Sequence, residues 1–231
     1  MITSSTVQPM RNSLRVLSAL LSYPDAAVRV HLPEMRSMLG DERTLSQTRR
    51  GELQAFIEAL LRADPLAIEA QYVELFDRGR ATSLHLFEHV HGDSRDRGPA
   101  MIDLGQTYAK AGLMLADGEL PDYLPAVLEF VSTQPPREAR AFLAEMAHIL
   151  NAIFAALVAR ESAYASVLGA LLELAGEKVA AVAPTADDPL DQSWPEPAAF
   201  DGCSTKGQAR PEQLHPVHII RKQTTHRGAH S

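Results

Sequence analysis

His85, Glu88 and His89 stand in the order H-x-x-E-H within the stretch SLHLFEHVHGD, residues 83–93, with His91 two positions further on. On a helix, two histidines four positions apart share a face. Such a pair can hold a zinc ion while the neighbouring glutamate takes a proton from metal-bound water, so the chemistry on offer is metal-dependent hydrolysis. That chemistry needs a third protein ligand. The downstream carboxylates of ELPDYLPAVLEF, Glu119 and Glu129, have no distinctive spacing. Arg78, Arg80, Arg95 and Arg97 surround the motif, and a guanidinium–carboxylate network is the simpler use of Glu88. Five-letter patterns with two free positions also arise by chance. A zinc-dependent hydrolase built on His85, Glu88 and His89 is therefore the alternative reading rather than the first.

Other reaction centres have less to stand on. The sequence has no glycine-rich phosphate loop between a strand and a helix and no G-x-S-x-G elbow, and its single cysteine, Cys203, lies in a stretch poor in aliphatic residues. A net charge of −7 opposes general nucleic-acid binding, which needs clustered Lys and Arg in excess. One cysteine excludes an intramolecular disulfide, and a cytoplasmic location is the expectation. The apolar run VLSALL near the N-terminus is too short for a secretory signal, and Tyr23-Pro24-Asp25 follows it without a cleavage pattern. No stretch reaches the roughly 18 to 20 apolar residues of a membrane span, so no direct membrane insertion is expected.

The elements that would position these residues all read as helices. Apolar residues recur with helical period, and no segment sustains the two-residue alternation of a half-buried strand. Asp64 followed by Pro65 is a cap with proline at the first helical position, opening PLAIEAQYVELF. Pro135-Pro136 precede the longest predicted helix, REARAFLAEMAHILNAIFAALVARE, and Ser162 is expected to cap AYASVLGALLELAGEKVAAVA. The fold class expected is all-α, a single bundle of about eight helices over residues 1–183. From 184 to 231 the chain turns rich in proline and glycine and carries His215, His218, His226 and His230; a poorly ordered tail is expected there.

One long stretch carries a family resemblance. Leu75-Phe76-Asp77-Arg78-Gly79-Arg80-Ala81-Thr82-Ser83, continued by Leu86-Phe87-Glu88-His89-Val90-His91-Gly92 and Ser94-Arg95-Asp96-Arg97-Gly98, resembles the signature of the NarJ-type assembly chaperones of respiratory nitrate reductase, within the TorD/DmsD class of helical chaperones for molybdenum enzymes. The similarity extends upstream through LLSYPD and downstream through ELPDYLPAVLEFV to LDQSWPEPAAFDGC, from about residue 14 to 205. Where the family usually has Asp-His, this chain has Asp122-Tyr123. A role that depends on histidine protonation is lost there, whereas hydrogen bonding and packing can survive in a phenol.

The resemblance implies a non-catalytic protein that binds no cofactor of its own. Its partner would be the apo catalytic (alpha) subunit of nitrate reductase, engaged through an N-terminal amphipathic segment. It would hold that subunit competent for molybdenum cofactor and iron–sulfur insertion before membrane docking, with cofactor-delivery proteins as further candidate partners. The residues it nominates for a peptide groove are Tyr23, Leu75, Phe76, Leu84, Phe87 and Leu124 as apolar contacts, and Glu88, His89, Asp122 and Tyr123 as polar readers or organisers. A basic guest helix would be steered by the chain's negative charge.

Overall fold

A computed structural model describes residues 9–41, 43–90, 95–116 and 118–179. The expectation of a poorly ordered tail from 184 onward falls outside these residues. The described residues are helical and lie in the first of two units, Met1–Asp187. In order the helices are α1 (Pro9–Leu21), α2 (Ala26–Val30), α3 (Leu32–Asp41), α4 (Gln47–Arg62), α5 (Pro65–Tyr72), α6 (Leu86–Val90), α7 (Arg97–Lys110), α8 (Leu124–Thr133), α9 (Pro136–Glu145), α10 (Ala147–Ala159) and α11 (Ala165–Ala175). A π turn, Val73–Asp77, and a 3-10 turn, Arg80–Thr82, follow α5 and carry the first part of the signature segment toward α6.

α11 is the axis of the core. Val167, Leu168, Ala170, Leu171, Leu172 and Leu174 are all buried, so most of the helix surface is apolar and covered, with Ser166 and Glu173 on its one partly open side. It packs against α1, α4, α9 and α10. Gly169 on α11 is where the Arg49 guanidinium of α4 lies directly against the helix backbone, leaving no space for a Cβ. The same corner is tied by Ser46, which caps α4 by accepting from Arg49 N and donates its hydroxyl to Glu173 Oε2 at 3.0 Å. α1 lies along α8, and the buried Ser18 hydroxyl donates to the Pro125 carbonyl at 2.8 Å. A polar group inside that helix pair is thereby satisfied, and it fixes their register.

Capping at Asp64 follows the sequence expectation: its Oδ2 accepts from Ala67 N at 3.0 Å, with Pro65 opening the helix. Two other expectations are revised. The long helix predicted after Pro136 is two, α9 and α10, whose axes bend by 64° at Met146. Both halves pack on α11. A straight helix over the same residues would run about 36 Å, past the end of an 11-residue partner of about 16 Å. The last helix begins at Ala165, not at Ser162, and ends at Ala175, where Gly176 takes a left-handed φ of 82°. Ser162 instead accepts from Tyr164 N in the turn before it. The helices are also shorter and more numerous than the eight expected, because the periodic apolar faces run across bends.

The exit from the π turn depends on a glycine. Thr82, fully buried, donates to the Leu75 carbonyl left free at the helix end and accepts from Arg160 Nη1 at 2.8 Å. A Cβ on Gly79 would fall 2.9 Å from the Leu75 oxygen and 3.1 Å from Arg160 Nη2, and closer still to Thr82 Oγ1. Gly79→Ala is expected to cost about 1 to 3 kcal/mol, the usual range for a forced contact in a packed site. Chemical denaturation should show this as a lower midpoint.

Candidate functional site

The signature segment is held by a fragment of antiparallel pairing rather than by helix packing alone. Leu86 N donates to the Asp122 carbonyl at 3.0 Å and Leu124 N to the Leu84 carbonyl at 2.8 Å, which makes His85 and Tyr123 an isolated β-bridge. His85 therefore sits before α6, in extended backbone, and not one helical turn from His89 on a shared face.

Asp122 joins these two segments from within. It is fully buried. Its Oδ2 accepts from Phe87 N at 3.1 Å, and its Oδ1 meets His85 Nδ1 at 3.3 Å. The Arg97 guanidinium lies 3.8 Å from Asp122 and 3.7 Å from Glu88, which places a cation between two carboxylates. His89 Nε2 faces the Ser83 carbonyl at 2.9 Å, which assigns it the proton, and Ser83 Oγ accepts from His85 N. The hydrogen bond to Asp122 raises the His85 pKa above its ordinary value, with the Asp122 and Glu88 charges adding to it against partial burial.

Phenols extend the cluster toward α1. Tyr123 packs its ring on His85 and its hydroxyl lies 2.9 Å from that of Tyr72, which donates to the Leu21 carbonyl at 2.8 Å. Tyr23 stands edge-on to Tyr72 with centroids 5.5 Å apart. Burial pushes the Tyr72 and Tyr123 pKa values up, so both remain neutral hydrogen-bonding groups. A contact chain thus runs from Tyr23 through Tyr72, Tyr123 and His85 to Asp122, and from Asp122 to the Phe87 backbone.

The nominated residues divide by exposure. Leu75, Phe76, Leu84 and Leu124 belong to the core, and Asp122 lies beneath the surface with them. Tyr23 is 42% exposed, and Phe87, Glu88, His89 and Tyr123 are half-buried. Tyr72 was given no role from the sequence; His85 had been read only as a zinc-ligand candidate, and Arg97 only as one of the arginines around Glu88, which it does meet. Tyr72 was visible as an apolar position of α5, but its hydroxyl contact with Tyr123, 51 positions away, had no local signal.

The H-x-x-E-H pattern does not assemble a metal centre. Among the described residues no group of three or more His, Cys, Asp or Glu is placed to hold a metal ion, and Glu88 faces Arg97. Backbone donors, a histidine, an arginine and phenols gather around one carboxylate and tie its neighbouring segments together.

The described residues thus form an all-helical scaffold carrying this polar cluster. A redox enzyme maturation protein solved from Archaeoglobus fulgidus shares the architecture, with a TM-score of 0.51 at 22% identity over 73% of this chain and 94% of that one. The chain belongs to the nitrate reductase delta subunit family, whose pattern matches residues 42–169. It is 48% identical over 166 residues to the nitrate reductase molybdenum cofactor assembly chaperone NarJ of Escherichia coli, across 72% of this chain and 70% of that protein. Over the same length it is 42% identical to NarW of Escherichia coli. These relatives are assembly chaperones, and the chain stands with them as a non-enzyme.

Two outcomes follow from the cluster. Asp122→Ala leaves the Phe87 N–H without its acceptor and should cost about 1 to 3 kcal/mol, read as a lower denaturant midpoint at unchanged slope. Asp122→Asn, which keeps an acceptor oxygen, should cost less. For His85 the raised folded pKa means that its stabilisation is complete below the unfolded value near 6.5 and fades as pH rises through the folded one. The melting-temperature gap between wild type and His85→Asn should therefore be wider at about pH 5.5 than at about pH 8.5. An equal gap at both would remove the Asp122–His85 pair as its source.

Proposed function

We propose that this chain is a system-specific assembly chaperone of respiratory nitrate reductase. It binds the N-terminal segment of the apo catalytic (alpha) subunit in the cytoplasm and holds that subunit competent for molybdenum cofactor and iron–sulfur insertion before membrane docking. The observation that carries this reading is the 48% identity with the Escherichia coli chaperone NarJ over most of both chains. The family match over residues 42–169 accords with it.

The site suits recognition of a guest helix. Tyr23, Phe87 and Tyr123 offer rings at the surface, while Glu88 and His89 offer polar groups beside them. The buried members, Leu75, Phe76, Leu84 and Leu124, fix the backbone beneath, and Asp122 holds the segment that presents Phe87 and Glu88. A guest that buries some four apolar side chains gains on the order of 6 to 12 kcal/mol gross. Ordering the guest and lost translational freedom offset several kcal/mol, which leaves roughly micromolar to nanomolar affinity, suited to a chaperone that must release its client. On this reading the cofactors are destined for the client, and cofactor-delivery proteins are further candidate partners of the chain. No single described helix is long and apolar enough to cross a membrane.

The test is capture of the apo catalytic subunit from cells by the tagged chain, together with calorimetry against a synthetic peptide of the subunit's N-terminus. Binding is expected, and Glu88→Ala should weaken it without lowering the melting temperature. Absence of both capture and heat would sink the reading, as would finding the chain as a stoichiometric part of the mature membrane-bound enzyme.

A further inference from the structure

Among the described helices of ten residues or more, α7 is held by the fewest buried side chains. Fourteen residues long, it buries only Tyr108, whereas the ten residues of α8 are mostly buried. Ile102 stands 62% exposed on it, and Leu104 packs only partly against the core. None of the other described helices lies along α7 in the way α8 lies along α1. Such a helix opens locally at a lower free energy than the core it rests on, because little apolar surface must be uncovered to release it. Once released it would unwind: 14 residues is marginal for an isolated helix, and Gly105 in its middle lowers the propensity further.

Two grips hold α7, and both fall on the loop before α8. The Tyr108 hydroxyl donates to the Pro121 carbonyl at 2.8 Å, with its ring 5.0 Å from that of Phe130 on α8. At the other end of the helix, Arg97 lies 3.8 Å from Asp122 and 3.7 Å from Glu88. Beyond α7 the chain runs to the loop through Gly112 and Gly118, with φ of 78° and 88° and open space where a Cβ would stand. Met114 between them is 94% exposed. A connection so little packed lets α7 move without carrying the loop along. The loop has its own hold, in the main-chain bonds from Leu86 N to the Asp122 carbonyl and from Leu124 N to the Leu84 carbonyl.

We propose that α7 is a clasp that releases as a single unit while the bridge between His85 and Tyr123 stays closed. Release withdraws Arg97 from between Asp122 and Glu88 and lifts Tyr108 off Phe130. The closed face sets a cation between the two carboxylates; the open one leaves them without it and uncovers the Phe130 ring. Depriving Asp122, a buried charge, of that cation is costly, which keeps the open state the minor one. The device is built from the chain's own contacts and does not depend on which partner the protein serves.

Amide hydrogen exchange of the full chain, resolved by NMR, tests this. The amides from Met101 to Lys110 should share one opening constant, roughly a hundredfold or more larger than that of the α11 amides. Tyr108→Phe removes one grip and should raise the shared constant about tenfold. Arg97→Gln removes the other and should raise it about threefold, with Arg97→Lys restoring part of the loss. The α11 amides, and the Leu124 N–H in the bridge, should be unchanged in all three variants. Protection that climbs from the ends of α7 to its middle and ignores these substitutions is fraying, and overturns the clasp. So does α7 protection equal to that of α11, or acceleration of α11 or Leu124 together with α7.

Discussion

A single buried carboxylate sets the geometry of the surface. Asp122 accepts a backbone N–H from one segment while its own backbone carbonyl accepts another, so the loop before α8 and the start of α6 are held through side chain and main chain together. Burying a charge without partners would be costly, and here the hydrogen bonds and the nearby Arg97 offset that cost. The arrangement is stable only when both segments are in place. That coupling makes the polar cluster a fixed platform instead of a mobile loop.

Phenols carry the same principle toward α1. Tyr72 and Tyr123 satisfy each other and the Leu21 carbonyl, closing the C-terminal end of α1 against two other elements. Tyrosine in place of the family's usual histidine at 123 keeps the ring contact with His85 and the hydrogen bond, and removes a titration near neutrality. On the other side of the bridge, His85 keeps a proton-sensitive group in contact with Asp122. Exposed Tyr23 stands at the edge of this ordered interior.

Asp64-Pro65 marks a helix start because capping and the proline restriction act within a few residues. The all-α class followed from period alone. The 64° bend at Met146 did not: both halves pack on α11, a partner the local pattern does not contain. The π turn at Val73–Asp77 and the need for Gly79 were hidden for the same reason: both answer to Thr82 and Arg160.

The sequence by itself determined the helical class, the family and the polar character of the signature, since period, caps and a long matched stretch are properties of the chain. Which apolar residues reach the surface was decided by tertiary structure alone. Leu75, Phe76, Leu84 and Leu124 went to the core and Leu66 to the surface, although all are aliphatic or aromatic at helical spacing. Hydrophobicity records only that a side chain avoids water, and a core and a docking surface satisfy that equally. The difference lies in which neighbour covers it, which only the assembled helices supply.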